Sequence, residues 1–112
     1  MVDEINTWLY DILQSINEIE SYFFERPKEF LVFVNDIRTK RAIERNLEII
    51  GEALNRIIKQ FPDIQISNSR KIIDLRNRII HGYDTIADEV IWGIIINHIP
   101  ILKKEIESIL ES

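Results

Sequence analysis

The stretch IRTKRAIERNLEIIGEALNRIIKQ, residues 37 to 60, decides the fold of this chain. Its large apolar residues recur at steps of three and four, which is the spacing of one buried stripe on an α-helix. They are Ile43, Leu47, Ile50, Leu54, Ile57 and Ile58. Because the residue before a proline avoids the helical region, we expect this helix to end before Phe61-Pro62.

Stripes of the same spacing lie on both sides of this segment. The first predicts a helix from about Asp3 to Phe24, and the last predicts a helix over about 86–110. Pro100 lies inside the last stripe and removes one backbone hydrogen bond. Because the apolar spacing resumes directly after it, we expect a kink near Asn97 and not the end of the helix.

Two shorter helices complete the pattern. One is expected to have Pro27 in its first turn and to run through Phe30 and Phe33. The other should run from about Asn68 to Ile80, with an N-cap from residues 67–69 and Gly82 in the left-handed conformation at its C-terminus.

The whole pattern predicts an all-α fold, an antiparallel bundle of four to five helices. Asp84 or Thr85 is placed to cap the last helix. With 112 residues, 46% of them hydrophobic, and only three glycines and three prolines, the sequence fits one domain over residues 1–112.

Composition excludes several classes of site. The chain has no cysteine, so a disulfide framework, a thiolate zinc site and a cysteine nucleophile are excluded, and two histidines do not make a metal site. Residues 1–4 lack the basic flank and apolar run of a signal peptide, and no uncharged run is long enough to span a bilayer. We expect a cytoplasmic protein without a membrane segment.

Basic charge is concentrated in the middle of an acidic chain. The formal net charge is -5, yet residues 36–81 contain ten Lys and Arg against six Asp and Glu. Arg41, Arg45 and Arg78 are therefore candidates for binding the phosphates of RNA. The alternative is that these charges lie on solvated helix faces, as charge runs usually do.

The segment RNRIIHGY, residues 76–83, carries the side chains suited to chemistry. Histidine exchanges protons near neutral pH, and arginine binds phosphate through two parallel hydrogen bonds. Arg76 and His81 lie about 140° apart around an ideal helix, so either the last turn unwinds or a second copy completes the site. Asn77 shares a face with His81 and can orient its imidazole. Ordinary C-capping explains the same residues without any chemistry.

One imidazole and one guanidinium, without metal or cofactor, suit phosphodiester transfer on RNA, whose 2′-hydroxyl is the nucleophile. A twofold dimer would supply the base and the acid from different subunits. His98 is expected to be a packed or surface histidine and not the second catalytic group. Gly51, in mid-helix, indicates close approach of another backbone, either at a dimer seam or inside the bundle.

The spacing Arg76-x4-His81-x-Tyr83 resembles the motif of the HEPN superfamily, and specifically of HepT-like toxins. Asn77, the run Arg45 to Ala53 and the segment Trp92 to Pro100 extend the resemblance over nearly the whole chain. It implies a helical bundle, a homodimer with a composite cleft, and metal-independent endoribonuclease activity. Arg76 and His81 would be the catalytic pair, with Asn77 assisting.

The resemblance also implies a partner and a modification. The partner is a minimal nucleotidyltransferase that acts as antitoxin in a type II/VII-like pair. It would neutralise the toxin by transferring AMP to Tyr83, where added phosphate would repel RNA. Two alternatives remain: a non-catalytic helical subunit that binds a nucleotidyltransferase, and a purely structural oligomerisation bundle.

Overall fold

The computed structural model describes residues 3–82 and 86–111, and this part of the chain is helical without a strand. The helices are α1 (Asp3–Ser21), α2 (Phe30–Val34), α3 (Ile37–Gln60), α4 (Ser69–His81), α5 (Asp88–Gly93) and α6 (Ile99–Glu111). A π-helical turn, Ile94–His98, joins α5 to α6, so that 88–111 forms one continuous helix. The prediction of an all-α bundle is confirmed.

Helix α3 is the centre of the bundle, with α1 packed on one side and α4 on another. Glu18, near the end of α1, bonds to Asn46 in the first half of α3, whereas Trp8 shares a groove with Ala53 further along α3. The two helices are therefore antiparallel. Helix α4 is also antiparallel to α3, because Gly51 lies against Arg76 while residues 40–44 line a cavity with residues 78–82.

The apolar stripes found in the sequence form the core. The three long stripes meet there with the apolar side of α4, which removes their side chains from water and supplies the main driving force for folding. The fully buried members include Leu9, Ile12, Ile16, Ile43, Leu47, Ile50, Leu54, Ile57, Ile72, Leu102 and Ile106.

An aromatic cluster fixes the short helix α2. The indole of Trp92 in α5 contacts the rings of Phe23, Phe30 and Phe33, with centroids 5.3 to 6.0 Å apart. Edge-on and tilted arrangements of this kind stabilise beyond their buried area. A helix of five residues has little stability of its own, so these contacts determine its position.

Helix boundaries agree with the predictions in the centre of the chain and differ at the ends. Asp36 caps α3 by accepting a hydrogen bond from the backbone N–H of Thr39 at 3.1 Å. Helix α1 ends at Ser21, three residues before the predicted end, in tight turns over residues 22–24. Pro27 was wrongly placed in the first turn of α2, because that helix begins only at Phe30.

The predicted side-chain cap of α4 was also wrong. Asn68 occupies the N-cap position, but its backbone is left-handed, with φ 59°, and its side chain makes no capping hydrogen bond. The hydroxyl of Ser67 instead donates to Glu105 of α6, at 2.8 Å, and the backbone N–H of Ser67 donates to the same carboxylate. The loop before α4 is therefore held by a residue that is distant in sequence. Asp84 and Thr85 lie outside the described residues, and Ala87 is the N-cap of α5.

The π-helical turn lies directly before Pro100, where the kink was predicted. Proline has no N–H for the usual bond four residues back, and a π turn shifts the bonding by one residue. The N–H of Ile99 accordingly donates to the carbonyl of Ile94, five residues earlier. Across the described helices, none is long and apolar enough to cross a membrane.

Candidate active site

Helix α4 carries Arg76, Asn77, Arg78 and His81 and ends at His81. Gly82 follows in the left-handed conformation, with φ 62°, and its N–H donates to the carbonyl of Arg78 at 3.1 Å. This is the C-cap predicted from the sequence, and glycine adopts it without steric cost. The last turn does not unwind, so Arg76 and His81 remain about 140° apart around α4.

Arg76 lies in a groove between α1, α3 and α4 that has a volume of about 310 Å³. Alternating charges line it, with arginines and carboxylates interspersed among apolar side chains. The lining residues are Trp8, Asp11, Arg45, Glu48, Ile49, Glu52, Ala53, Arg56, Arg76 and Ile80. Trp8 and Asp11 of α1 were not predicted here, because the stripe of α1 indicated only its core face.

Two side chains clamp the guanidinium of Arg76. Its Nη1 donates to the Oδ1 atom of Asn77 at 2.8 Å, and its Nη2 forms an ion pair with the Oε2 atom of Glu52. The other oxygen of that carboxylate accepts from the Nε atom of Arg56 at 3.1 Å. Asn77 is thus bonded to the arginine of the motif, whereas the sequence indicated a role in orienting His81.

Gly51 makes room for Arg76. A Cβ atom at residue 51 would overlap the Cβ atom of Arg76 and lie 2.9 Å from its Cγ atom and 3.2 Å from the carbonyl oxygen of Ile72. Of the two explanations that the sequence left open for this glycine, the structure supports packing inside the bundle. The close contact of α3 with α4 places Glu52 beside Arg76.

His81 has different surroundings. It is the last residue of α4, its side chain is exposed, and it does not line the groove of Arg76. Tyr83, the predicted modification site, lies outside the described residues.

The candidate RNA-binding arginines divide between two grooves. Arg41 and Arg78 line a cavity of about 390 Å³ at the end of α4, together with Lys40 and Gly82. Arg45 lies in the groove of Arg76, where its Nη1 is 3.4 Å from Glu48. Within the described ranges, no three His, Asp or Glu side chains are grouped to hold a metal ion.

Comparison with known proteins identifies the family. Residues 12–109 match the family described as Ribonuclease HepT-like. The chain belongs to this family. A HepT-like fold therefore contains the motif, the groove and the exposed histidine described above.

Several relatives of this HepT-like chain have names that refer to ribonuclease. A protein of Methanocaldococcus jannaschii named "Putative RNase" is 35% identical over 112 aligned residues, 96% of this chain and 88% of the relative. A second, from Caldanaerobacter subterraneus and also named "Putative RNase", is 34% identical and covers 88% and 91% of the two chains. "Probable ribonuclease HepT" of Thermococcus cleftensis is 35% identical, covering 91% and 92%. No solved structure matches the chain.

His98 does not join the motif of this HepT-like chain. It lies at the end of the π turn and lines a separate cavity with Lys71 and Arg78. Its Nδ1 atom is buried and has no hydrogen-bond partner among the described residues. Burial, followed by the positive charge of Lys71, lowers the pKa of the His98 imidazole below its ordinary value. A packed, neutral histidine agrees with the expectation for this residue.

A buried polar cluster between α1 and α3 was not recognised from the sequence. Asn46 is 2% exposed; its Oδ1 atom accepts from the hydroxyl of Tyr22 at 2.9 Å, and its amide donates to Glu18 at 2.8 Å. Burial, together with the carboxylate of Glu18, raises the pKa of Tyr22. The signal available in the sequence was an asparagine on the apolar stripe of α3, since a buried amide must find partners.

Proposed function

We propose that this protein is a metal-independent endoribonuclease toxin that acts on RNA in the cytoplasm. His81 exchanges the proton of the reaction, and Arg76 stabilises the negative charge that develops on the phosphate. Asn77 assists by orienting the guanidinium, to which it is bonded at 2.8 Å. Membership in the HepT-like ribonuclease family supports the assignment of the substrate class.

The observation that carries the proposal is the arrangement of the two catalytic side chains on α4. Arg76 is held in a groove, whereas His81 is exposed on a different side of the same regular helix. Because the two residues lie about 140° apart around α4, we infer that one copy of the chain does not aim both groups at one phosphate. We therefore propose a homodimer in which the two motifs face each other and form a composite cleft.

Apolar side chains near the motif support this dimer. Ile80 is next to His81 and is 42% exposed, and Ile37, beside the cavity of Arg78, is 62% exposed. In the proposed dimer these side chains would belong to the interface, whose buried centre is usually more apolar than the rest of a protein surface. A second copy would remove them from water while bringing its own motif to the cleft.

The RNA backbone would follow the basic residues at the end of α4. Arg41 and Arg78 line the same cavity there, so both can contact phosphates that flank the cleaved bond. Arg45 lies in the groove of Arg76 and would contact a phosphate on the other side. These contacts are to the backbone and would give affinity without sequence preference.

The proposal includes an antitoxin. A minimal nucleotidyltransferase would bind the protein and transfer AMP to the hydroxyl of Tyr83. Tyr83 follows Gly82, and Gly82 lines the cavity with Arg41 and Arg78. Added phosphate would thus place negative charge where the RNA phosphate must bind.

Incubation of purified protein with RNA in EDTA tests this function. We expect the wild type to cleave RNA and leave 2′,3′-cyclic phosphate ends, since the 2′-hydroxyl attacks the adjacent phosphorus. His81→Ala should reduce the rate by roughly 10²- to 10⁴-fold. Mass spectrometry first establishes that Tyr83 carries no adduct.

A matched DNA substrate should resist cleavage because it has no 2′-hydroxyl. Intact RNA with unmodified wild-type protein would contradict the proposal and favour a helical subunit that only binds a nucleotidyltransferase. Cleavage that requires an added divalent cation would contradict the metal-independent mechanism.

A further inference from the structure

We propose that Glu52 is a positioning residue for Arg76, an inference that rests on the ribonuclease function proposed above. Glu52 lies one residue after Gly51, where α3 and α4 approach each other closely. Its Oε2 atom pairs with the Nη2 atom of Arg76. The carboxylate therefore sets the direction of the guanidinium relative to the bundle.

The clamp fixes both ends of the guanidinium. Asn77 holds Nη1 from α4, and Glu52 holds Nη2 from α3, so the planar group is fixed from two helices. A long arginine side chain otherwise loses considerable rotamer freedom when it binds a phosphate. Fixing the plane before RNA binds removes part of that loss and keeps the donors aimed.

Arg56 in turn steadies the carboxylate of Glu52. It donates from Nε to the Oε1 atom at 3.1 Å, so each oxygen of Glu52 contacts its own arginine. Arg56 is one turn after Glu52 on α3, and its side chain is 55% exposed. The carboxylate thus has a defined orientation although it is only partly buried.

The clamp leaves Arg76 able to bind an anion. A guanidinium has five N–H donors, and the bonds to Asn77 and Glu52 occupy one on each terminal nitrogen. The Nε–H and the second hydrogen of each Nη remain to meet phosphate oxygens. Glu52 therefore acts as a support for the catalytic arginine and not as a competitor that RNA must displace.

The closing experiment compares Glu52→Ala, Glu52→Gln and wild type in steady-state cleavage of one short RNA. Glu52→Ala should lower kcat about tenfold to a hundredfold, because a misplacement of about 1 Å has effects of this size. KM should stay equal or fall, since a negative charge beside the phosphate site is lost. Glu52→Gln keeps an acceptor oxygen and should stay within about fivefold of the wild-type kcat.

Glu20→Ala is the matched control. Glu20 pairs with Lys103 at 2.7 Å and is 35% exposed, against 36% for Glu52. It lies about 18 Å along α1 from Trp8, which lines the groove of Arg76. This variant changes the net charge equally and should leave kcat and KM unchanged.

Arginine side-chain NMR provides a readout that does not depend on activity. In the wild type, restricted rotation should give separate Nη signals for Arg76, and Glu52→Ala should merge them while Glu20→Ala does not. Wild-type kcat in Glu52→Ala, or an increase, would overturn the positioning role. So would a loss in Glu52→Gln as large as that in Glu52→Ala. If the wild type cleaves no RNA, the proposed function fails, and the NMR signals still report whether Glu52 holds Arg76.

Discussion

Arg76 and His81 belong to the same turn-and-a-half of α4 and yet have opposite surroundings. Arg76 is clamped by Asn77 and Glu52 in a groove shared by three helices, whereas His81 is exposed at the last residue of the helix. The bundle thus gives the guanidinium of Arg76 a fixed geometry. In the homodimer proposed above, the second copy would complete the exposed half.

Subunit mixing is the strongest test of this difference. Arg76→Ala and His81→Ala chains should each be inactive alone, because each lacks one half of every site. When they are coexpressed and the dimers are purified together without separation, about a quarter of wild-type activity should return. Half of the dimers are then mixed, and each keeps one of two Arg76–His81 pairs across the interface.

Differently tagged chains allow the mixed dimer to be isolated and its cleavage rate measured directly. No recovery in a verified mixed dimer would show that the arginine and the histidine of one chain act together. Arg76→Ala paired with a second Arg76→Ala chain serves as the inactive reference.

Substitution of Gly51 tests how tightly the surroundings of Arg76 are packed. Gly51→Ala should destabilise the protein by about 1 to 3 kcal/mol, because the new methyl group overlaps Arg76 and must push α4 away. Thermal unfolding should show a decrease of roughly 4 °C for each kcal/mol. Cleavage should fall as well, since the arginine moves with the helix.

Gly93 offers the control for this substitution. It is also helical, but a Cβ atom there would meet no heavy atom within 4 Å. Gly93→Ala should therefore raise stability by up to about 1 kcal/mol through helix propensity alone. Equal melting temperatures for the two variants would contradict the close contact between α3 and α4.

His98, the second of the two histidines, gives the smallest expected effect; it is half-buried, and its Nδ1 atom is fully buried. Its folded-state pKa is lowered by burial and by Lys71, so the unfolded chain binds more protons. Stability should thus decrease as the pH falls below about 6.5, the ordinary pKa of histidine, and should be unaffected above it. Asp74, Arg78 and Glu89 line the same cavity.

Melting temperatures at pH 7.5 and 5.5 measure this effect. Between pH 7.5 and 5.5, the melting temperature of His98→Gln should fall less than that of the wild type. The decrease for Lys71→Ala should lie between those two values. Identical slopes for wild type and His98→Gln would mean that folding does not lower the pKa of His98, which would contradict the prediction.

The sequence was sufficient for the fold where the determinants are local. The apolar stripe of α3 and the left-handed Gly82 follow from residue spacing and backbone preference, and both are present in the structure. The predicted side-chain cap of α4 failed where a partner distant in sequence takes part. Ser67 binds Glu105, and this contact between separate elements gives no signal in the local sequence.

The candidate site was predictable only as a set of residues. The motif indicated Arg76, Asn77 and His81, and Gly51 indicated a close approach by another backbone. The groove also contains Trp8 and Asp11 of α1, and Glu52 of α3 holds Arg76. Both features depend on how the three helices pack. Which side chains meet across a bundle depends on how each helix is rotated about its axis and how closely it packs on its neighbour. The apolar periodicity of the sequence does not determine either.

The π turn before Pro100 determines the direction in which the side chains of α6 leave the helix. One residue is added there relative to an α-helix, and each residue rotates the helix by about 100°. Lys103 and Glu105 contact Glu20 and Ser67 with the helix rotated by this extra residue. Deletion of one residue within 94–98 would rotate Lys103 and Glu105 away from Glu20 and Ser67. The number of residues in this turn therefore constrains the sequence as strictly as the core side chains do.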